Sequence, residues 1–375
     1  MHLSRRDFVR TAPLAALAAG LTPRAARAAD DGLIVRMQEP RNLESPLAGL
    51  VPDVTATEKF FVRSHFAVPE VDVKSFKLTV EGHVEKKLQL TLDDLRKMES
   101  VTREVTLECA GNGRVFLAPQ ARGLQWGHGA VGNAKWVGVP LGAVLERAGV
   151  RPGAADVVLV GADRGAIADP ATPGVIQFDR GIPLAKAKKD ETILAWEMNG
   201  AALTPAHGAP LRAVVGGWYG MASVKWVTRV VVSDRPHAGF WQTFDYSVWD
   251  RGGASPQLVP VTAIQPKAVV TSHGPGAPVP AGPVTLEGKA WAGERAVAKV
   301  ELSTDGGKTW AAAKLRGEGR PFAWTAWEAA LQKGPKSVLV RCTDDKGTVQ
   351  PEKRDPDRRT YMINHLVPTD FSPKD

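Results

Sequence analysis

Glycine and proline recur between almost every pair of apolar runs in this chain, and that punctuation limits what it can fold into. The 37 glycines and 28 prolines leave room for short strands and a few short helices, with turns between them. Phe76–Val80 alternates as a strand and stops at Glu81-Gly82. Thr91 is placed as the N-cap of a helix whose apolar side is Leu92, Leu95 and Met98. Val105, Leu107 and Cys109 share one face of a strand. Pro140 suits a first helical position, Leu141, Val144, Leu145 and Ala148 form the buried stripe, and Gly149 ends it. Asp156–Gly161 reads as a buried strand. Val224 with Val227–Val232 reads as another, interrupted by Arg229. No βαβ rhythm appears, so the pattern predicts an irregular α+β domain over residues 30–255, not a doubly wound sheet.

Near residue 255 the character changes. Helical periodicity stops, and residues 269–282 are rich in proline and glycine. Short strands follow at Val284–Glu287, Val297–Ser303, Phe322–Trp327 and Ser337–Cys342, with a hairpin signal at Asp305-Gly-Gly-Lys308. This spacing predicts an immunoglobulin-like β-sandwich over residues 260–375. Trp291, Trp310, Trp324 and Trp327 are expected in its core.

The first 28 residues read as an export signal. Ser4-Arg5-Arg6-Asp7-Phe8 has the twin-arginine pattern, Ala12–Leu21 is modestly apolar, and Ala26-Arg27-Ala28 offers a cleavage site. That route carries proteins already folded, often around a cofactor, and points to the periplasm. The segment holds five arginines and one aspartate, so half of the formal charge of +8 lies within it. What remains does not call for nucleic acid, and no later run is long enough to span a membrane.

Cys109 is one of only two cysteines. It ends a strand and enters the turn Ala110-Gly-Asn-Gly-Arg114, where a soft sulfur ligand could be presented. A buried core cysteine is the competing reading. Val338, Val340 and Cys342 share a face, so Cys342 is expected in the sandwich core and a disulfide to Cys109 is not expected.

Four segments belong together: Phe60-Phe-Val-Arg63-Ser-His65, Leu107-Glu-Cys109-Ala-Gly-Asn112-Gly-Arg114, Ala195-Trp196-Glu-Met-Asn199-Gly200, and His207-Gly-Ala-Pro-Leu-Arg212 leading to Trp218–Trp226. In this order, ahead of an immunoglobulin-like domain, they resemble the sulfite oxidase family of molybdenum enzymes. The resemblance implies a mixed α+β molybdopterin domain followed by a dimerisation-type sandwich, carrying molybdenum–molybdopterin. It implies that Cys109 is the protein's ligand to molybdenum. Phe61, Val62, Arg63, Ser64 and His65 would line the cofactor. Asp163, His207, Arg212, Ser223, Val224 and Lys225 would hold its pterin and phosphate. A lysine between Val224 and Trp226 in an apolar strand needs a reason, and an anionic ligand supplies one. Taken singly, each arginine also reads as a salt-bridge partner and each histidine as a structural one.

The same resemblance implies oxidation of sulfite or a related small sulfur compound. Arg63 and Arg114 are the candidate cations for an anionic substrate. Two departures are noted. Trp196 stands in the segment where the family is expected to carry a tyrosine, which makes it a candidate catalytic position. Gly113 stands where vertebrate members are expected to have a second arginine. Both favour a larger, less charged substrate and motivate an alternative, reduction of S-oxides or N-oxides. Tyr219 could compensate for the missing phenol. A further alternative is a secreted binding protein without catalysis. There is no haem-attachment motif, so electrons are expected to pass to a separate acceptor such as a c-type cytochrome, and a homodimer is expected.

Overall fold

The computed structural model describes residues 32–374. The export-signal reading of residues 1–28 lies outside them. Two five-stranded sheets build the N-terminal region. In the first, Val101–Glu108 pairs with Val131–Pro140, which pairs with Thr192–Met198; Ala201–Ala202 and Arg212–Val215 both pair with Thr192–Met198. Apolar side chains cover both faces. Along one strand, Ile193 and Ala195 join one buried cluster, whereas Leu194 and Trp196 join another. That is why Ile193–Trp196 is an unbroken apolar run.

The second sheet runs Leu88–Leu90, Leu78–Gly82, Val227–Ser233, Asp156–Gly165, Ile176–Pro183. Val227–Ser233 pairs parallel with Leu78–Gly82 and antiparallel with Asp156–Gly165. The Thr91 cap forms as a full capping box: Thr91 Oγ1 accepts from the Asp94 N–H at 3.1 Å, and the Asp94 carboxylate accepts from the Thr91 N–H at 3.0 Å. That helix, Leu92–Arg96, stops before Met98. The helix Leu141–Ala148 buries Leu141, Val144, Leu145 and Ala148 and ends at Gly149, whose φ of 69° only glycine adopts freely.

The C-terminal region is a sandwich of two four-stranded sheets, Lys267–Val270, Val284–Trp291, Thr325–Leu331, Lys314–Arg316 against Ala311–Ala312, Val297–Ser303, Ser337–Asp344, Thr369–Asp370. Val338, Val340 and Cys342 all face its core, and both cysteines are free thiols. Burial pushes the Cys342 thiol up to about 12.

Two expectations are corrected. Of the four tryptophans expected in the sandwich core, only Trp327 is there. Trp291 and Trp324 join the main cluster of the N-terminal region, and Trp310 packs beneath Arg341 at 4.0 Å. Lys225 is not in a strand either. The strand begins at Val227, after a 3₁₀ turn at Gly220–Ala222 and a left-handed Trp226 with φ 51°. A half-buried ammonium must find acceptors, and this irregular stretch lets Lys225 reach them. Among the described residues no helix is long and apolar enough to cross a membrane.

Candidate active site

A solvent-connected cavity opens where the loops of the N-terminal region meet, with about 680 Å³ of space between its walls, open solvent included. Its walls include Phe61, Val62, Arg63, Ser64, His65, Cys109, Asp163, His207, Arg212, Ser223, Val224 and Lys225. The structure thus brings twelve of the fourteen sequence-derived site residues to one cavity. Cys109 enters it from the end of Val101–Glu108, and its sulfur is not held in a disulfide.

The cavity is cationic, and its cations are held by neutral groups. Lys225 Nζ donates to Ser64 Oγ at 3.0 Å and to the Ala206 carbonyl at 2.9 Å, with Trp226 beneath it at 4.2 Å. Arg212 donates to the carbonyls of His207 and Ser223, both at 3.1 Å, and lies over Trp136 at 4.8 Å. Arg63 donates to Asn42 Oδ1 at 3.3 Å, to the Ser64 carbonyl and to the Tyr246 hydroxyl at 3.5 Å. Burial holds Arg212 down to about 9. Burial, and then Arg212, push Lys225 well below its ordinary value. For Arg63, burial opposes the charge, but Tyr246, Cys109 and Asp245 outweigh it and raise the guanidinium. The ring of His207 donates from Nε2 to the Thr57 carbonyl at 3.1 Å, and burial drives it to about 3, so it is neutral. Burial raises Asp163 to about 6 despite Lys225. Gly208 permits this close approach. Its φ is 102°, and a Cβ there would stand 3.0 Å from the Cβ atoms of both Arg212 and Lys225.

Sequence reasoning missed Tyr246. Its hydroxyl shares a 2.6 Å hydrogen bond with His65 Nε2, and it lines the cavity. His65 stacks on Phe178 at 4.3 Å and leans on Trp241 at 4.6 Å. Burial pushes Tyr246 up to about 12 and holds His65 well below its ordinary value, so a neutral phenol meets a neutral imidazole. One signal was available. The chain has three tyrosines against 11 tryptophans and 11 phenylalanines, so each tyrosine was worth asking about. All three are buried, at 8 % exposure or less.

Two sequence-derived residues are elsewhere. Trp196 is 4 % exposed and packs in the main core, on the opposite sheet face from Ala195 and away from the cavity. A phenol does line the cavity, that of Tyr246, whereas Tyr219 is in the core. Arg114 does not line the cavity. Its guanidinium donates to the Thr360 hydroxyl at 2.9 Å, the Thr360 carbonyl at 3.0 Å and the Leu124 carbonyl at 2.9 Å, and lies 5.5 Å from the Tyr361 ring. Gly113, with φ 97°, would direct a Cβ at Ile363 and Lys267 and does not line the cavity.

The donor set fits a phosphorylated, polar-edged organic chelate. Three cations, Arg212 buried and Arg63 and Lys225 half-buried, form no ion pair among the described residues, a neutral histidine offers its second ring nitrogen, and a thiol faces the same space. An oxidoreductase molybdopterin-binding domain matches over residues 65–241, and a Mo-co oxidoreductase dimerisation domain over residues 260–365. Chicken (Gallus gallus) sulfite oxidase is 36 % identical over 86 % of this chain and 73 % of its own length. Arabidopsis thaliana sulfite oxidase is 32 % identical over 85 % of this chain and 88 % of its own. The chain belongs to the sulfite oxidase family of molybdopterin-dependent oxidoreductases. Human sulfite oxidase is 37 % identical, and the chain spans 62 % of that protein. Among solved structures, the sulfane dehydrogenase SoxCD from Paracoccus pantotrophus superimposes with a TM-score of 0.77 at 28 % identity, covering 96 % of this chain and 92 % of that one.

Proposed function

We propose that this member of the family oxidises sulfite or a related small sulfur compound and passes the electrons to a separate acceptor such as a c-type cytochrome. The observation that carries the reading is that Arg63, Lys225 and Arg212 line the same cavity as the Cys109 thiol and form no ion pair among the described residues. The relatives, a sulfite oxidase and a sulfane dehydrogenase, support the substrate class.

The bound cofactor would supply the oxygen-atom and two-electron chemistry. The chain supplies the rest. Cys109 gives the thiolate ligand. Arg212, Lys225 and Ser223 take the cofactor's anionic end, and His207 and Asp163 its polar edges. Phe61, Val62 and Val224 shape the wall. Arg63 faces the same space with a fixed positive charge, which suits a small oxyanion. Tyr246, hydrogen-bonded to His65, keeps an O–H at the cavity wall that can be given to an oxygen atom. The departures at Trp196 and Gly113, which motivated the reductive alternative, lie outside this wall. We also propose export by the twin-arginine route to the periplasm, and a homodimer through the C-terminal sandwich.

The test is sulfite-dependent reduction of cytochrome c by protein produced in a cofactor-competent host, with molybdenum measured per chain. We expect near one molybdenum per chain and vigorous turnover. In the Cys109→Ser variant, turnover should vanish with the fold intact. Reduction of S-oxides or N-oxides in place of sulfite oxidation would overturn the direction.

A further inference from the structure

We propose that Lys267 and Trp291 of the C-terminal sandwich position the Cys109 thiol by gripping the neighbouring carboxylate of Glu108. The sandwich would then be part of the cofactor site as well as a dimerisation element. The inference rests on Cys109 as the molybdenum ligand.

Glu108 is the last residue of Val101–Glu108 and is 1 % exposed. Strand alternation points its side chain away from the cavity that Cys109 enters. All its partners are donors. Oε1 accepts from Asn112 Nδ2 at 3.0 Å and from Lys267 Nζ at 3.1 Å, and Oε2 accepts from Trp291 Nε1 at 2.8 Å. Lys267 and Trp291 are register partners on adjacent strands, so one cross-strand pair delivers both donors. Lys267 Nζ also donates to the Asn112 carbonyl at 3.0 Å.

The grip reaches the whole turn that presents the thiol. The Cys109 carbonyl accepts from the Asn112 N–H at 2.9 Å, and Asn112 Oδ1 accepts from the Ala130 N–H at 3.1 Å. On the other flank, the Met362 N–H donates to the Ala110 carbonyl at 2.7 Å, and Arg114 is tied to Thr360. The residues on either side of Cys109 are therefore anchored to segments more than 150 positions away in the chain. A thiol at the end of a strand is only as fixed as its backbone, and groups of this kind set ligand orientation.

Lys289 is the built-in control. It lies on the same sheet and is also buried, but its carboxylate partner is Asp53 at 2.8 Å, which makes no described hydrogen bond to the Cys109 turn. The experiment compares molybdenum-loaded Lys267→Met, Trp291→Phe and Lys289→Met proteins. It follows the sulfur-to-molybdenum charge-transfer band in visible circular dichroism, kcat per molybdenum and KM. Lys267→Met should shift the band and lower kcat roughly 10- to 100-fold with KM within about threefold. Trp291→Phe should do the same to a smaller degree while keeping the packing. Lys289→Met should lower the melting temperature and leave band and kcat at wild-type values. If Lys267→Met does not fold, Trp291→Phe decides alone. Wild-type band and kcat in the foldable Glu108-contact variants would overturn the proposal, as would equal changes in Lys289→Met. A Cys109→Ser protein that kept the band would instead sink the ligand assignment itself, so the two failures are separable.

Discussion

Two groups of cations in this molecule, buried lysines at an interface and buried or half-buried cations in the cavity, are treated in opposite ways. Where the sandwich meets the N-terminal region, three buried lysines each have a carboxylate, although the buried Arg114 there rests on Thr360 and the Leu124 carbonyl. Lys186 meets Glu191 at 2.8 Å and Glu294 at 2.6 Å, Lys267 meets Glu108, and Lys289 meets Asp53. In the cavity, Lys225, Arg212 and Arg63 form no ion pair among the described residues and rest on carbonyls, hydroxyls and an amide oxygen. Asp163 shares their cavity but is itself pushed up to about 6 by burial. Burying a charge is tolerable only when something compensates it. The interface lysines are compensated within the chain. Buried Arg114 and Arg180 are also held by carbonyls but lie outside the cavity, so the site is marked by three cations without an ion pair gathered in one cavity, not by the lack of a carboxylate alone.

The comparison breaks most visibly at Lys225. Lys225→Met should cut molybdenum content more than about tenfold, because a phosphate loses a charge-assisted donor. The cofactor-free variant should melt no lower than cofactor-free wild type, since the lost ammonium had no anionic partner. Metal analysis beside thermal unfolding checks both halves. A variant that kept its molybdenum would show that the cavity's charge is not there for the cofactor.

Lys186→Met should behave in the opposite sense. It leaves Glu191 and Glu294 around an uncompensated site, and breaking a buried pair costs about 3–5 kcal/mol. Glu294 is 40 % exposed, so solvent should screen part of that and the loss should fall toward the lower end. The lysine also stacks near Trp218 and Phe322, at 5.9 and 5.7 Å, and methionine keeps much of that contact. Denaturant unfolding should show the destabilisation while molybdenum per folded chain stays near wild type.

Most of the scaffold was legible in the sequence because local signals carried it. The Thr91 capping box, the Pro140–Gly149 helix and the alternation through Cys342 each need only a few neighbouring residues. The cofactor loops were legible for a different reason, the ordered resemblance of four segments. What escaped depends on contacts that no window holds. Tyr246 follows a π-helical turn at Trp241–Asp245 and meets His65 from 181 positions away. Trp196 looked like a site residue because its segment did, but strand alternation turned it into the core. Trp291 and Trp324 read as sandwich core because the sequence cannot say which face of a strand meets another part of the chain. Their indole N–H groups answer it, one on Glu108 and one on the Asp53 carbonyl.

The smallest effect concerns protons. Asp163 is 4 % exposed, and burial raises it from its ordinary 3.8 to about 6. Between those values the folded chain holds a proton that the unfolded chain releases. The raised group therefore contributes stability below pH ~4 that is lost as pH rises through about 6. A shift of this size corresponds to roughly 2–3 kcal/mol. His207 acts in the same window with the opposite sign. Burial lowers it from 6.5 to about 3, so its contribution is lost as pH falls. The informative quantity is thus the difference between Asp163→Asn and wild type, both without cofactor, measured by denaturant unfolding from pH 4 to 7. The variant should gain on wild type as pH rises, because an amide never ionises. A difference that stays flat across the window would mean that Asp163 is already compensated by Lys225, and that the contrast between paired interface lysines and unpaired cavity charges fails at its one acidic member.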